Sequence, residues 1–300
     1  MQDLTQKTGF IALVGRPNVG KSTLLNTLLG EKIAAVSRKP QTTRTSITGI
    51  LTKENCQYIF LDTPGIHKPR TKLGNMMMKS AFNATADVCL VMLVVEPLAE
   101  IHPIEKELME KFQKMGVPVV LLINKTDIFT PEDIIRTIDV FSKAYSFRAV
   151  IPLSGKTGDG VEIIFKEAEP FLEEAPWFFS SDMITDQPER TIAAEIIREK
   201  LLKLLDKEIP HGLAVVIEDF KESEKLIDIR AEIFCEKASH KKIVIGKDGA
   251  MLKKVGSFAR EDLEAFFGVH VNINLWVKVK ENWRDSEQLL HTLGFRDTEI

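Results

Sequence analysis

The sequence predicts an α/β domain built on a mostly parallel six-stranded sheet, followed by a small α+β domain. From Gly9 to about Pro170, short apolar runs alternate with amphipathic stretches, the pattern of strand and crossover helix. Between Glu169 and Arg190 that periodicity breaks around Pro170, Pro176 and Pro188, with an aromatic knot at Trp177, Phe178 and Phe179. Beyond it the order of elements changes. The expected boundaries are residues 1–170 for the first domain, 171–190 for a linker and 191–300 for the second domain.

The runs Phe10 to Val14, Tyr58 to Leu61, Val88 to Val95, Val117 to Ile123 and Ala149 to Leu153 are rich in Val, Ile and Leu with little alternation, as strands covered on both faces require. Thr45 to Leu51 alternates more and reads as an antiparallel edge strand. The linker aromatics read as packing onto a neighbouring domain. In the second half, Ile192 to Leu205 has one apolar helical face, Leu213 to Ile217 is a strand, and Ile227 to Cys235 alternates as a half-buried strand. A turn at Gly246 to Gly249 leads into a helical region reaching about Phe267, and Val269 to Val279 alternates as a last strand. The expected order is α-β-β-turn-α-β.

A length of 300 residues suits two domains, and 44% hydrophobic with 28% charged residues excludes disordered and collagen-like classes. The polar start and the brevity of Val88 to Val95 argue against a signal peptide or a spanning helix, so the expected location is the cytoplasm. A net charge of -3 gives no global attraction to nucleic acid, so any such surface must be a local patch. Cys56, Cys89 and Cys235 are widely spaced and read as reduced thiols.

The first strand runs into Gly15-Arg16-Pro17-Asn18-Val19-Gly20-Lys21-Ser22, with Thr23 next, a G-x4-G-K-S loop in the strand-to-helix context that gives it meaning. Its glycines let backbone N–H groups surround phosphates, Lys21 meets the β/γ-phosphates, and Ser22 offers a hydroxyl to Mg²⁺ at a helix start. Asp62-Thr63-Pro64-Gly65 ends another apolar strand, where Asp62 can hold Mg²⁺ through water and Gly65 can offer its N–H to the γ-phosphate. Asn124-Lys125-Thr126-Asp127 sets the base: a carboxylate there accepts from N1–H and the exocyclic amine of guanine, and adenine has neither donor in that place. Ser154-Gly155-Lys156 can close over the base. GTP, with GDP as product, is therefore the expected nucleotide. Ile66 stands where many GTPases carry a water-orienting Gln, so hydrolysis needs another arrangement, and His67 lies close by.

These motifs, together with Gln41-Thr42-Thr43-Arg44 and Ile245-Gly246-Lys247-Asp248-Gly249, resemble the Era GTPase family over essentially the whole chain, including Gln187-Pro188-Glu189-Arg190. The resemblance implies a Ras-like P-loop G domain joined to a type II KH domain. It implies binding to small-subunit (16S) ribosomal RNA near its 3′ end and a role in 30S assembly and rRNA maturation. Thr43 matches the switch threonine that ligates Mg²⁺ in the GTP state, with Thr42 as the close alternative. Asn18 matches a P-loop asparagine associated with K⁺-stimulated hydrolysis, and an apolar residue at Ile66 is typical of the group. The catalytic set is then Lys21, Thr43, Gly65 and Asn18, and the metal set Ser22, Thr43 and Asp62.

The segment Ile245 to Gly249 has the G-x-x-G form that clamps a nucleotide backbone in KH domains. Lys237, Lys241, Lys242, Lys247, Lys253, Lys254 and Arg260 crowd around it. Asp248 weakens the loop itself as a phosphate binder, so Lys253 and Lys254 join the RNA-binding set. RNA, not DNA, is the expected nucleic acid. The main reading is a slow GTPase whose GTP state favours an RNA-bound conformation. One rival is a non-enzymatic RNA module with nucleotide as a structural ligand, against which the intact Lys21, Ser22, Asp62 and Gly65 weigh. Another is a cell-cycle GTPase in peripheral contact with the inner membrane, for which the sequence offers no lipidation motif.

Overall fold

The computed structural model describes residues 5–37, 39, 42–66, 71–206, 209–293 and 295. It divides into two compact units, one of Met1–Ile33, Thr43–Lys68 and Met77–Asp186, the other of Ala34–Thr42, Pro69–Met76 and Gln187–Ile300.

The chain forms β1 (Lys7–Val14), α1 (Lys21–Leu29), β2 (Ile47–Lys53), β3 (Cys56–Asp62), α2 (Lys72–Asn83), β4 (Leu90–Val95) and α3 (Pro103–Met115). Then come β5 (Val119–Ile123), α4 (Pro131–Ala144), β6 (Ala149–Pro152), α5 (Ile163–Ala168) and β7 (Glu173–Glu174). The sheet order is β2-β3-β1-β4-β5-β6. Every pairing along this path is parallel except β2 with β3, so the expected antiparallel edge strand is present. The sheet has a seventh strand that the six-stranded expectation lacked: β7 pairs antiparallel with Lys7 and Thr8 of β1. Two charged residues carry no periodicity, which is why the sequence did not announce it.

All six residues of β4 and all five of β5 are buried, which explains their uninterrupted apolar runs. Phe112 of α3 and Phe141 of α4 are fully buried in the same cluster, each side chain contributing about 1.5–3 kcal/mol through burial. Trp177 and Phe179 of the linker are half-buried, whereas Phe178 stays 60% exposed. Phe178 meets the ring of Phe10 at 5.3 Å, the Trp177 indole donates to the Asn55 carbonyl, and Gln57 bonds the backbone of Phe179 in both directions. The Ile50 N–H donates to the Ile184 carbonyl at 2.8 Å, so the outer edge of β2 is partly covered.

The second unit contains α6 (Glu189–Leu204), β8 (Leu213–Glu222), β9 (Leu226–Cys235), α7 (Ala238–Ile245), α8 (Ala250–Phe267), β10 (His270–Val279) and α9 (Glu287–Thr292). Its three strands lie in the order β10-β9-β8, with β9 antiparallel to β8 and parallel to β10. The expected α-β-β-turn-α-β order is corrected: α7 precedes the turn and α9 follows β10, giving α-β-β-α-α-β-α. Of the residues of α7 only Val244 is buried, so no apolar stripe marked it. The core joins Ile196, Ile197 and Leu201 of α6 to Ile229, Ala231 and Ile233 of β9 and to Val255, Ala259 and Leu263 of α8. Trp283, fully buried, donates its indole N–H to the Gly212 carbonyl at 2.9 Å.

Cys56, Cys89 and Cys235 are free thiols, and burial pushes the pKa of Cys89 up to about 11. Among the described residues no helix is long and apolar enough to cross a membrane.

Candidate nucleotide and RNA sites

The nucleotide motifs all sit at the C-terminal ends of parallel strands, the position where open α/β sheets take ligands. β1 ends at Val14, and the loop turns through Gly15 to Gly20 into α1, with Asn18 held in the left-handed region at φ 66°. Lys21 folds back over this loop, its ammonium donating to the carbonyls of Gly15 and Arg16 at 3.0 Å each.

Ser22, Thr43 and Asp62 converge as the metal reading requires. The Ser22 hydroxyl donates to Asp62 Oδ2 at 2.6 Å and lies 2.7 Å from Thr43 Oγ1, which itself donates to Asp62 Oδ2 at 3.3 Å. Asp62 Oδ1 is buried with no hydrogen-bond partner among the described residues. Two hydroxyls and a carboxylate with one orphaned oxygen make a hard oxygen donor set that fits Mg²⁺. Of the two candidate threonines, Thr43 is the one placed here. The Thr42 hydroxyl instead donates to the Lys39 carbonyl at 2.7 Å.

Burial drives the electrostatics. It pushes the Lys21 ammonium down to about 8 against the pull of Asp62, with Arg16 adding a smaller push the same way. Burial also raises the Asp62 carboxyl, while Lys21, Ser22 and Thr43 oppose the rise. Both groups are penalised for charge in this place, so an anion beside Lys21 and a cation beside Asp62 would each relieve the penalty.

The Thr63 hydroxyl donates to the Leu13 carbonyl at 2.8 Å, and the Ile66 N–H donates to Gly15 O at 3.2 Å, so the Asp-x-x-Gly segment is stitched to the phosphate loop. A Cβ on Gly65 would stand 2.7 Å from Pro17 Cα, closer than backbone permits, which is why no side chain fits there. Pro64 is buried beside them. Ile66 is 4% exposed and belongs to the same buried cluster as Ala12, Val14, Val91 and Phe112. Its side chain belongs to the core, so it neither binds nor orients water. His67, the other residue considered for that task, lies outside the described residues, as does Gln41.

Asn124 ties the loops after β1, β5 and β6 together. Its Nδ2 donates to the Val19 carbonyl at 2.8 Å, while its Oδ1 accepts from the N–H groups of Lys125 and Gly155 at 2.7 and 2.8 Å. The Thr126 N–H donates to the Leu153 carbonyl, and the Thr27 hydroxyl of α1 to that of Gly155. Ser154 Oγ donates to Asp127 Oδ1 at 2.8 Å, holding one oxygen of an exposed carboxylate. Lys125 pairs with Glu96 at the end of β4. Lys156 and Asn18 are exposed. Thr23 lies in the first turn of α1, its carbonyl accepting from Thr27. Sequence reasoning missed Glu96 and also Glu105, whose side chain is fully buried and receives Arg16. The spacing His102-x-x-Glu105 was the available signal for the latter, a capping pattern at the head of α3.

In the second unit the glycine turn links α7 to α8. Gly246 has φ 76° and Asp248 φ 51°, so the turn needs left-handed backbone twice before Gly249 opens α8. Lys247, Asp248, Lys253 and Lys254 are exposed and Ile245 is half-buried. Two apolar neighbours escaped the sequence reading: Ile243 is 48% exposed, and Phe258 is 38% exposed with the Lys254 ammonium 5.7 Å from its ring. Trp276 of β10 is half-exposed, whereas Trp283 is a core residue.

Residues 10–125 match the family described as a 50S ribosome-binding GTPase, and residues 208–284 match the KH domain family. GTPase Era of Ruminiclostridium cellulolyticum is 48% identical over 98% of this chain and 99% of its own. GTPase Era of Caldanaerobacter subterraneus is 49% identical over 97% and 99%. Among solved structures, a variant of Aquifex aeolicus Era bound to GDP and AlF4− superposes with a TM-score of 0.92 at 35% identity, covering 97% of this chain and 99% of that one. Era in complex with MgGDPNP and nucleotides 1506–1542 of 16S ribosomal RNA does so with 0.92 at 36% identity and the same coverage. A P-loop GTPase unit followed by a KH unit, matched end to end by these relatives, makes the chain a GTPase that belongs to the GTPase Era family.

Proposed function

We propose that this GTPase binds 16S ribosomal RNA near its 3′ end through the turn Gly246 to Gly249, and that it acts in the cytoplasm in 30S assembly and rRNA maturation. The observation that carries the reading is the turn itself, set between two helices and ringed by exposed lysines, in a chain whose other unit is a GTPase. An Era structure holding 16S nucleotides supports the choice of RNA. The working boundaries remain 1–170 for the G domain, 171–190 for the linker and 191–300 for the KH domain. Crosslinking the GTP-loaded protein in cell extract and sequencing the attached RNA tests it. Fragments from the 3′ end of small-subunit rRNA are expected, and a scatter of messenger RNAs would overturn the reading.

In the nucleotide site, Lys21 meets the β/γ-phosphates, the N–H groups of Gly15 to Thr23 surround them, and the Gly65 N–H reads the γ-phosphate. Ser22, Thr43 and Asp62 hold Mg²⁺, which supplies charge neutralisation at the phosphate oxygens. Asn124 to Asp127 and Ser154 to Lys156 hold guanine.

With Ile66 committed to the core, charge developing on the phosphates needs a further stabiliser. Asn18, exposed and fixed at a positive φ, offers an amide oxygen suited to K⁺. Hydrolysis should therefore run faster in K⁺ than in Na⁺ at equal ionic strength, by about tenfold or more. Asn18→Ala should remove that difference and leave GDP affinity largely intact. Equal rates of phosphate release in the two salts, measured with the wild-type chain, would reject the K⁺ role.

A further inference from the structure

We infer that Glu105 is a positioning residue for the phosphate loop, acting through the side chain of Arg16. Glu105 lies in the first turn of α3, where its Oε2 accepts the His102 N–H at 3.0 Å and the His102 ring caps Ile104 in return. That capping role accounts for one carboxylate oxygen. It does not account for a side chain with 0% exposure, because capping glutamates are satisfied equally well at the surface. The other oxygen, Oε1, accepts from Arg16 Nε at 2.7 Å, across 89 residues of sequence. Arg16 is the first variable residue of the phosphate loop, and its side chain is 18% exposed.

The pair sits where the loop carries most of its contacts. The carbonyls of Gly15 and Arg16 both receive the Lys21 ammonium. Gly15 O also receives the Ile66 N–H, and Pro17 abuts Gly65. Residues 15–17 thus join Lys21 to the segment that reads the γ-phosphate, and the anchor on the middle residue of the three is Glu105. Arg16 Nη2 is buried with no hydrogen-bond partner, and the Glu105 carboxylate is the ion-pair partner of Arg16 among the described residues. Its removal leaves a largely buried guanidinium without compensating charge beside the loop, which favours a shift of the loop that solvates it. A shift of about 1 Å in positioning residues can cost about 100-fold in rate.

The inference rests on Gly15 to Ser22 being the phosphate loop. Glu105→Gln keeps the shape of the side chain and an acceptor for the His102 N–H while removing the charge. Its kcat for GTP is expected to fall about 10- to 100-fold, with the Kd for fluorescently labelled GDP changed less than about threefold. The split is expected because residues 15–17 face the γ-phosphate reader, whereas the later N–H groups of the loop and α1 hold the phosphates that GDP retains. Arg16→Gln, on the less buried side of the pair, is expected to lose kcat similarly, and the double variant to lose no more than the worse single one. Losses that add in the double variant, or GTP turnover and GDP affinity falling together with the melting temperature, would overturn the positioning role. Lys21→Ala, assayed beside them, separates the two readings. If it loses nucleotide binding while Glu105→Gln turns over normally, only the Glu105 role falls. If it binds GTP normally, the loop reading falls and takes the Glu105 role with it.

Discussion

Asp127→Asn is expected to shift base preference from guanine toward xanthine. The Asp127 carboxylate accepts only, so it can take both N1–H and the exocyclic amine of guanine, whereas an amide can donate to the 2-oxo group of xanthine. Ser154 Oγ already holds Asp127 Oδ1 at 2.8 Å, and Gly155 is tied to Asn124, so the carboxylate enters binding pre-oriented. Two charged hydrogen bonds at about 1.5–3 kcal/mol each predict a loss of roughly 10² to 10⁴ in GTP affinity. Competition binding of GTP and XTP to wild type and variant reads it directly. An unchanged preference for GTP would remove Asn124 to Asp127 as the base reader.

What the sequence made legible follows from how local each signal is. β4 and β5 were readable because strands buried on both faces need an apolar residue at every position, and the motifs at β1, β3, β5 and β6 were readable because each contact is made within a few residues of a strand end. α7 was not readable, since Lys237 caps it, Lys241 and Lys242 interrupt it, and it buries one side chain. α6 hid more. Arg198, Glu199 and Lys200 are all buried there, a result no apolar period predicts, because their burial depends on partners such as Glu195 and, 62 residues on, Asp262 of α8. The placement of Thr43, and not Thr42, beside Ser22 and Asp62 likewise depends on the fold. Adjacent residues share one sequence context, and only the hydroxyl placed on Ser22 and Asp62 separates them. The identity of Ile66 was visible as a missing glutamine, but its place in the core cluster that holds Val14 and Phe112 was not.

Lys247→Asp is expected to weaken binding to the 3′ end of small-subunit rRNA by at least about 100-fold while leaving intrinsic GTP hydrolysis near the wild-type rate. The cause of the first effect is local. Gly246 and Gly249, both with positive φ, hold the turn so that a nucleotide backbone can approach it, and Lys247 is its exposed cation. With Asp248 unchanged, the substitution sets two carboxylates side by side where phosphate must lie. The second effect follows from the division of the chain, because Lys247 belongs to the second compact unit and Lys21, Ser22, Thr43, Asp62 and Gly65 to the first. Lys253→Ala, within the first turn of α8, removes one exposed cation without touching the turn. It should lower affinity mildly and reduce the salt slope of binding by about one, without changing which sequence is preferred. A salt titration of RNA binding and a GTPase assay on the same preparations measure both. Unchanged RNA affinity in Lys247→Asp would eliminate the glycine turn as the clamp. Loss of intrinsic hydrolysis would show instead that the second unit shapes the nucleotide site, and the two effects would have to be traced to one conformational equilibrium.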